Sequence, residues 1–249
     1  WAINDHATLR AAAFQVVKRD FTIEQTIEPT QLAGFNQFFD NSAGTVSKNY
    51  GVGLDVRFTK QLWGGLTALR RDLEVPLGTL ALPEFYEIEQ DLENYYNAYL
   101  YWMPNRQWAV NISGLYQTFE VEQGLLGQRF IPRPHYLRTI SLPINVQYFD
   151  PSGFFAGVSL VYVNQRVQFL DPRSFTPSQM PLQNENFTLV NAGLGYRLPK
   201  RWGTVALQVN NFFNRDFRYQ DYSFQVGERA VNPLYIPERT IFTNIILNF

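Results

Sequence analysis

The last twelve residues, Glu238-Arg239-Thr240-Ile241-Phe242-Thr243-Asn244-Ile245-Ile246-Leu247-Asn248-Phe249, carry the alternation from which the rest of the chain is best read. With a period of two, one face holds Ile241, Thr243, Ile245, Leu247 and the terminal Phe249. The other holds Thr240, Phe242, Asn244, Ile246 and Asn248. Side chains alternate faces along an extended backbone, so the segment is a strand with one strongly apolar face. An unprotected sheet edge of this kind templates aggregation. Two architectures accommodate it: a closed barrel, in which the edge is paired with a first strand, and the edge of a soluble sandwich.

Composition narrows the field. The chain has 249 residues, 45% hydrophobic and 16% aromatic, with a mean hydropathy of −0.23. That length suits one all-β domain or a mid-sized barrel. Charged residues make up 17%, below the roughly one quarter usual in soluble domains. A net charge of −1 gives no basis for a nucleic-acid partner, and the absence of Cys excludes thiol chemistry, disulfides and Cys-based metal sites. No run approaches the ~18 apolar residues of a membrane helix; the longest apolar stretch, Phe154 to Val163, already contains Gly157 and Ser159. A membrane crossing would have to be made by strands. No secretory signal peptide is seen either, so the expectation is a mature chain or a fragment.

Taken in order, the pattern yields about ten strands. Trp1-Ala2-Ile3 reads as the tail of one, before the turn Asn4-Asp5-His6; Ala7 to Lys18 follows. After a long segment from Arg19 to Lys48, Tyr50, Val52, Leu54, Val56 and Phe58 alternate with Gly51, Gly53, Asp55 and Arg57. Leu62 to Arg71 returns, and a second long, acidic segment spans Asp72 to Asp91. Further alternating runs lie at 95–102, 108–117, 139–148, 154–162, 188–196 and 204–210, with long segments at 120–134, 168–184 and 214–237.

Two regularities point to a transmembrane barrel. Connections alternate short and long, as in barrels with short periplasmic turns and long extracellular loops. The C-terminus falls at the short-turn end. The five tryptophans, Trp1, Trp63, Trp102, Trp108 and Trp202, sit within a few residues of short turns, joined there by Phe58, Tyr148, Phe154 and Tyr196. Amphipathic rings favour the membrane–water boundary, so these nine are read as a periplasmic girdle. Opposite the apolar faces lie Asp55, Arg57, Asn111, Ser113, Asn145, Gln147, Gln208 and Asn210, read as lining a wet or plugged lumen. The fold expected is all-β: an antiparallel up-and-down transmembrane β-barrel over 1–249, part of a larger barrel.

Val209-Asn210-Asn211-Phe212-Phe213-Asn214-Arg215-Asp216-Phe217, then Pro237-Glu238-Arg239-Thr240 and the final Phe249, resemble the closing strands of TonB-dependent receptors. Leu9 to Phe14, Glu28-Pro29-Thr30-Gln31 and Tyr50 to Asp55 are similar to the C-terminal barrel of receptor-like outer-membrane proteins, some with upstream tetratricopeptide repeats. The terminal strand, with Ile245, Leu247 and Phe249, resembles the signal read by the barrel-assembly machinery. The resemblance implies a bacterial outer-membrane location in contact with lipid, a periplasmic C-terminus and extracellular long loops. It implies passage or capture of a solute, with a TonB-like system as a partner. The alternative is a structural or export barrel that anchors a periplasmic repeat domain or an assembly. Neither a plug nor a TonB-contacting segment is visible in these residues, so no residue of either is carried over.

Evidence for chemistry is thin. His6 and His135 are expected at opposite membrane faces, which argues against a dyad, a shared metal site or an enzyme; no cofactor is expected. The acidic run Glu84, Glu87, Glu89, Asp91 and Glu93 reads as a solvated face. Asp55, Arg57, Arg70 and Arg71 are candidates for setting lumen selectivity or for internal salt bridges.

Overall fold

The structure, a computed structural model, describes residues 2–18, 31–36, 44–79, 82–123, 134–169, 181–219 and 238–248. The strands are β1 (Ala2–Asn4), β2 (Ala7–Val17), β3 (Gln31–Leu32), β4 (Phe35–Asn36), β5 (Val46–Arg57), β6 (Leu62–Thr79) and β7 (Leu82–Trp102). They continue as β8 (Trp108–Gln123), β9 (Pro134–Phe149), β10 (Phe154–Phe169), β11 (Gln183–Leu198), β12 (Gly203–Asn210) and β13 (Thr240–Leu247). Among the described residues the helical element is a single 3-10 turn, Pro199–Arg201.

Eleven strands form one sheet in the order β1-β2-β5-β6-β7-β8-β9-β10-β11-β12-β13, each antiparallel to its neighbours. This is the expected up-and-down meander. The sheet does not close: β1 and β13 are its two ends. The fold is therefore a partial barrel.

The second long segment is a correction. Asp72 to Asp91 is not an open loop but the upper part of the longest hairpin, β6–β7, with Arg71 opposite Glu93, Leu73 opposite Asp91 and Val75 opposite Glu89. The first long segment likewise contains a small hairpin, β3–β4.

The two faces of the sheet differ in kind. Tyr50, Val52, Leu66, Tyr96, Ile112, Leu142, Val158, Leu194 and Ile245 share one face and are exposed. The other face holds the buried residues: Leu69, Leu73, Phe119, Leu137, Val163 and Val167, but also Asn49, Arg71, Glu89, Asp91, Glu93, Thr139 and Gln165. Apolar groups face out and charged groups are buried, the reverse of a water-soluble domain. We call these the apolar and the polar face.

Proline locates a break in the ladder. Pro143 lacks the amide needed toward β8; pairing of β8 with β9 stops at Ile112–Ile144 and resumes at Leu115–Ser141. Beside this gap, Gly114 leaves a depression of about 550 Å³ on the apolar face, lined in part by Leu66, Ala68, Ala98, Tyr116, Ile140 and Leu142.

Candidate functional site

The polar face carries most of its charge on β2 to β7, with Glu185 and Arg197 on β11. Arg10 is the only charged residue of β2. Its Nε donates to Asp55 Oδ2 at 2.7 Å and its Nη2 to Asp55 Oδ1 at 3.4 Å. Asp55 accepts a further hydrogen bond from the Tyr99 hydroxyl. Asp55, Gly65 and Tyr99 lie in one register row across β5, β6 and β7. Tyr99 reaches over β6 because the middle position is glycine: a Cβ at Gly65 would lie 2.7 Å from its hydroxyl.

The β3–β4 hairpin sits on this cluster. Ala33 and Gly34, both with positive φ, form its two-residue turn, the geometry of a type I′ connection. The Ala33 carbonyl accepts from Arg10 Nη1 at 3.4 Å, and the Arg10 guanidinium lies 5.3 Å from the centre of the Phe35 ring. Phe35 is buried against the backbone of β5, where a Cβ at Gly51 would come within 2.7 Å of the ring. The alternating glycines of Tyr50-Gly51-Val52-Gly53-Leu54-Asp55 thus make room for a folded-in loop and its arginine.

Nearer the long connections a second ion pair, Arg71 with Glu93, is buried. Glu89 and Asp91 are buried on the same face. The expectation of a solvated acidic run is corrected for these three acids. Arg70 points the other way, opposite Tyr50 on the apolar face, and pairs with Asp72 at 2.8 Å; it is removed from the selectivity candidates.

The residues expected on the lumen side share the polar face. Arg57, Trp63, Tyr101, Asn111, Asn145, Ser159 and Asn191 form one row across β5 to β11. Ser113 lies opposite Tyr99, and Gln147 opposite Ala109 and Gly157. Gln208 Nε2 donates to Asn210 Oδ1 at 2.9 Å. On β8 to β12 the middle of the face is amides and hydroxyls.

Of the girdle residues, Trp102, Trp108, Tyr148, Phe154 and Tyr196 occupy the apolar face near the short turns, with the Trp108 and Tyr148 rings 4.9 Å apart. Trp63 differs: opposite Arg57 and Tyr101, it is on the polar face. Nearness to a turn locates a residue along the strand but not across the sheet. Phe58 and Trp202 are exposed beyond strand ends, and Trp1 and Phe249 lie outside the described residues. Ile245 and Leu247 are exposed on β13. A second row of rings, Tyr50, Tyr96, Tyr116 and Tyr162, borders the apolar face toward the long connections, with Tyr96 and Tyr116 5.9 Å apart. From Phe154 to Tyr162 is eight steps along β10, about 27 Å at ~3.4 Å per residue. At a tilt of ~40° this projects to about 21 Å, comparable with the ~25 Å apolar band of an outer-membrane barrel.

The sequence reading missed Arg10 and Tyr99 as parts of the Asp55 cluster. Arg10 had a signal, as the lone charge in an otherwise uncharged strand. The closing motif has a structural part: Asn211 accepts from Arg215 N at 2.8 Å and donates through Nδ2 to its carbonyl at 2.9 Å, and Asn214 Oδ1 accepts from Arg239 N at 2.8 Å. These bonds tie the end of β12 to the start of β13. His6 lies in the short turn before β2 and His135 at the long-connection end of β9, so the two stand at opposite ends of the sheet.

A family model described as "TonB dependent receptor-like, beta-barrel" matches residues 3–212. No curated protein and no solved structure matches the chain.

Proposed function

The chain belongs to the TonB-dependent receptor-like β-barrel family, and from that premise we propose that it forms an outer-membrane receptor or channel wall for solute passage or capture. In this reading 1–249 is one barrel portion, its polar face lines the lumen, and its apolar face meets lipid between the two rows of rings. The short turns are periplasmic and the long connections extracellular. The observation that carries the reading is the Arg10–Asp55–Tyr99 cluster beneath a seated hairpin. It joins fixed charges to a loop folded onto the polar surface, where charged side chains can select what passes. The exposed apolar face of β13 supports recognition by the barrel-assembly machinery, and family membership supports a TonB-like partner.

The test is planar-bilayer recording of the full-length protein in potassium chloride. Asp55→Asn leaves Arg10 uncompensated, so the cation-to-anion permeability ratio should fall by about twofold or more, as charged pore residues set selectivity. An unchanged ratio in a conducting protein would refute the role of the cluster. A protein that neither conducts nor binds solute would favour the second reading, an anchor or export barrel for a periplasmic repeat domain. One observation supports that alternative: Phe119, Val121, Leu137 and Val167 pack as an apolar cluster on the polar face toward the long connections.

A further inference from the structure

Past the tyrosine row, the apolar face handles charge in two ways. On β5 and β6 the outward charges neutralise one another: Lys48 lies 2.8 Å from Glu74, and Arg70 2.8 Å from Asp72. On β9 and β10, Arg138 and Arg166 are direct cross-strand partners. Neither takes part in an ion pair among the described residues. Like charges placed directly opposite each other destabilise a sheet, and Glu120, the outward acid on the adjacent strand, lies opposite Tyr136 instead. Arg138 donates through Nη2 to Asn164 Oδ1 at 2.9 Å, while its Nε is buried with no partner. A polar row continues on either side: Asn94 and Thr118, bonded at 3.2 Å, and Asn184.

Toward the membrane centre, Ile140 and Leu142 of the same strand lead from Arg138 into the depression left by Gly114 and Ala98. Two cross-strand arginines thus stand above an apolar trough. Arginine donates to phosphate bidentately and is weakly hydrated, so two facing arginines are satisfied by one shared phosphate group. We infer that this surface binds a phosphorylated membrane lipid, its phosphate between Arg138 and Arg166 and an acyl chain in the trough. The inference rests on the membrane placement proposed above, which makes this lipid one of the outer leaflet.

The test uses the full-length protein in detergent and titrates it with bisphosphorylated lipid A, with its dephosphorylated form and with inorganic phosphate alone. Each variant's gel mobility before and after boiling reports its folding. Arg166→Gln, at an exposed position, and the double variant Arg138→Gln/Arg166→Gln should each weaken binding of the phosphorylated lipid by ~10-fold or more, as expected for lost charge-assisted bonds. Arg70→Gln should leave it unchanged. Ala98→Leu, which fills the trough, should also weaken it. Equal binding by the double variant, equal affinity for dephosphorylated lipid, or competition by free phosphate at the lipid's own concentration would overturn the proposal. A wild-type protein that lacks the heat-dependent mobility shift would refute the membrane placement instead.

Discussion

Arg71 and Glu93 meet on the polar face with almost no solvent around them, so each depends on the other for its charge to be tolerated. Arg71→Ala leaves a buried carboxylate without its cation and should cost about 3–5 kcal/mol of stability, whereas replacing both partners with apolar residues should cost much less. Heat-shift titration of the variants checks this. Gly51 makes a different kind of prediction. Gly51→Leu pushes a side chain into the Phe35 ring, an overpacking that costs about 1–3 kcal/mol. It should unseat the β3–β4 hairpin while the eleven-stranded sheet stays folded, seen as faster proteolysis within residues 19–45 and an unchanged heat shift. Legibility at this scale is uneven. The period-two pattern assigns Asp55, Asn111 and Asn145 to one face, because alternation is a local property of extended backbone. It does not disclose that Arg10 reaches Asp55, a contact between residues 45 apart in the chain.

Each short turn up to β10 is shaped by one side chain that accepts from the backbone just beyond it. Asn4 accepts from His6 N, Thr59 from Gln61 N, Asn105 from Gln107 N and Trp108 N, and Asp150 from Ser152 N, at 2.8 to 3.1 Å. These are Asx and ST turns, whose residue preferences follow from that bond. Asp150 also accepts from the Tyr148 hydroxyl at 2.9 Å. The Ser152 hydrogen bonds, then that of Tyr148, hold its carboxyl below the usual carboxylate range. Its support for the turn is therefore present above the unfolded value, about 3.9, and is lost as the pH falls through the lower folded value. Asp150→Ala should abolish this acid-dependent component, read as thermal stability against pH between about 2 and 6. These turns were legible because their chemistry is local. The β6–β7 extension was not, because its acids resemble those of a solvated loop until strand pairing places them against Arg71, Leu73 and Val75.

At the level of the whole chain, apolar side chains project outward across the middle of every principal strand, bounded by rings on both sides. Leu66 is 59% exposed on this face, between Leu54 and Ala98 in its row. Leu66→Arg should therefore cost about 2–4 kcal/mol in a bilayer if the site lies near the midplane. The same change would be nearly neutral if the face met water, so folding yields into vesicles and into plain buffer discriminate the two. The barrel class was legible from connection lengths and tryptophan placement. The tyrosine border was not, since those rings lie mid-strand in the sequence and align only once register is known.

The β6–β7 hairpin outlasts its neighbours: β5 stops pairing with it at Glu74, and β8 at Gln90. Beyond those points, among the described residues, the two strands pair with each other alone, and Pro76 is tolerated there because β5 does not pair at that position. Foreign sequence grafted into this extension would break no pairing with a third strand among the described residues, and insertion tolerance follows from which backbone bonds are lost. With the long connections outside, as proposed above, an epitope carried there would serve as a flag on living cells, displayed to antibody while the wall beneath it stays intact.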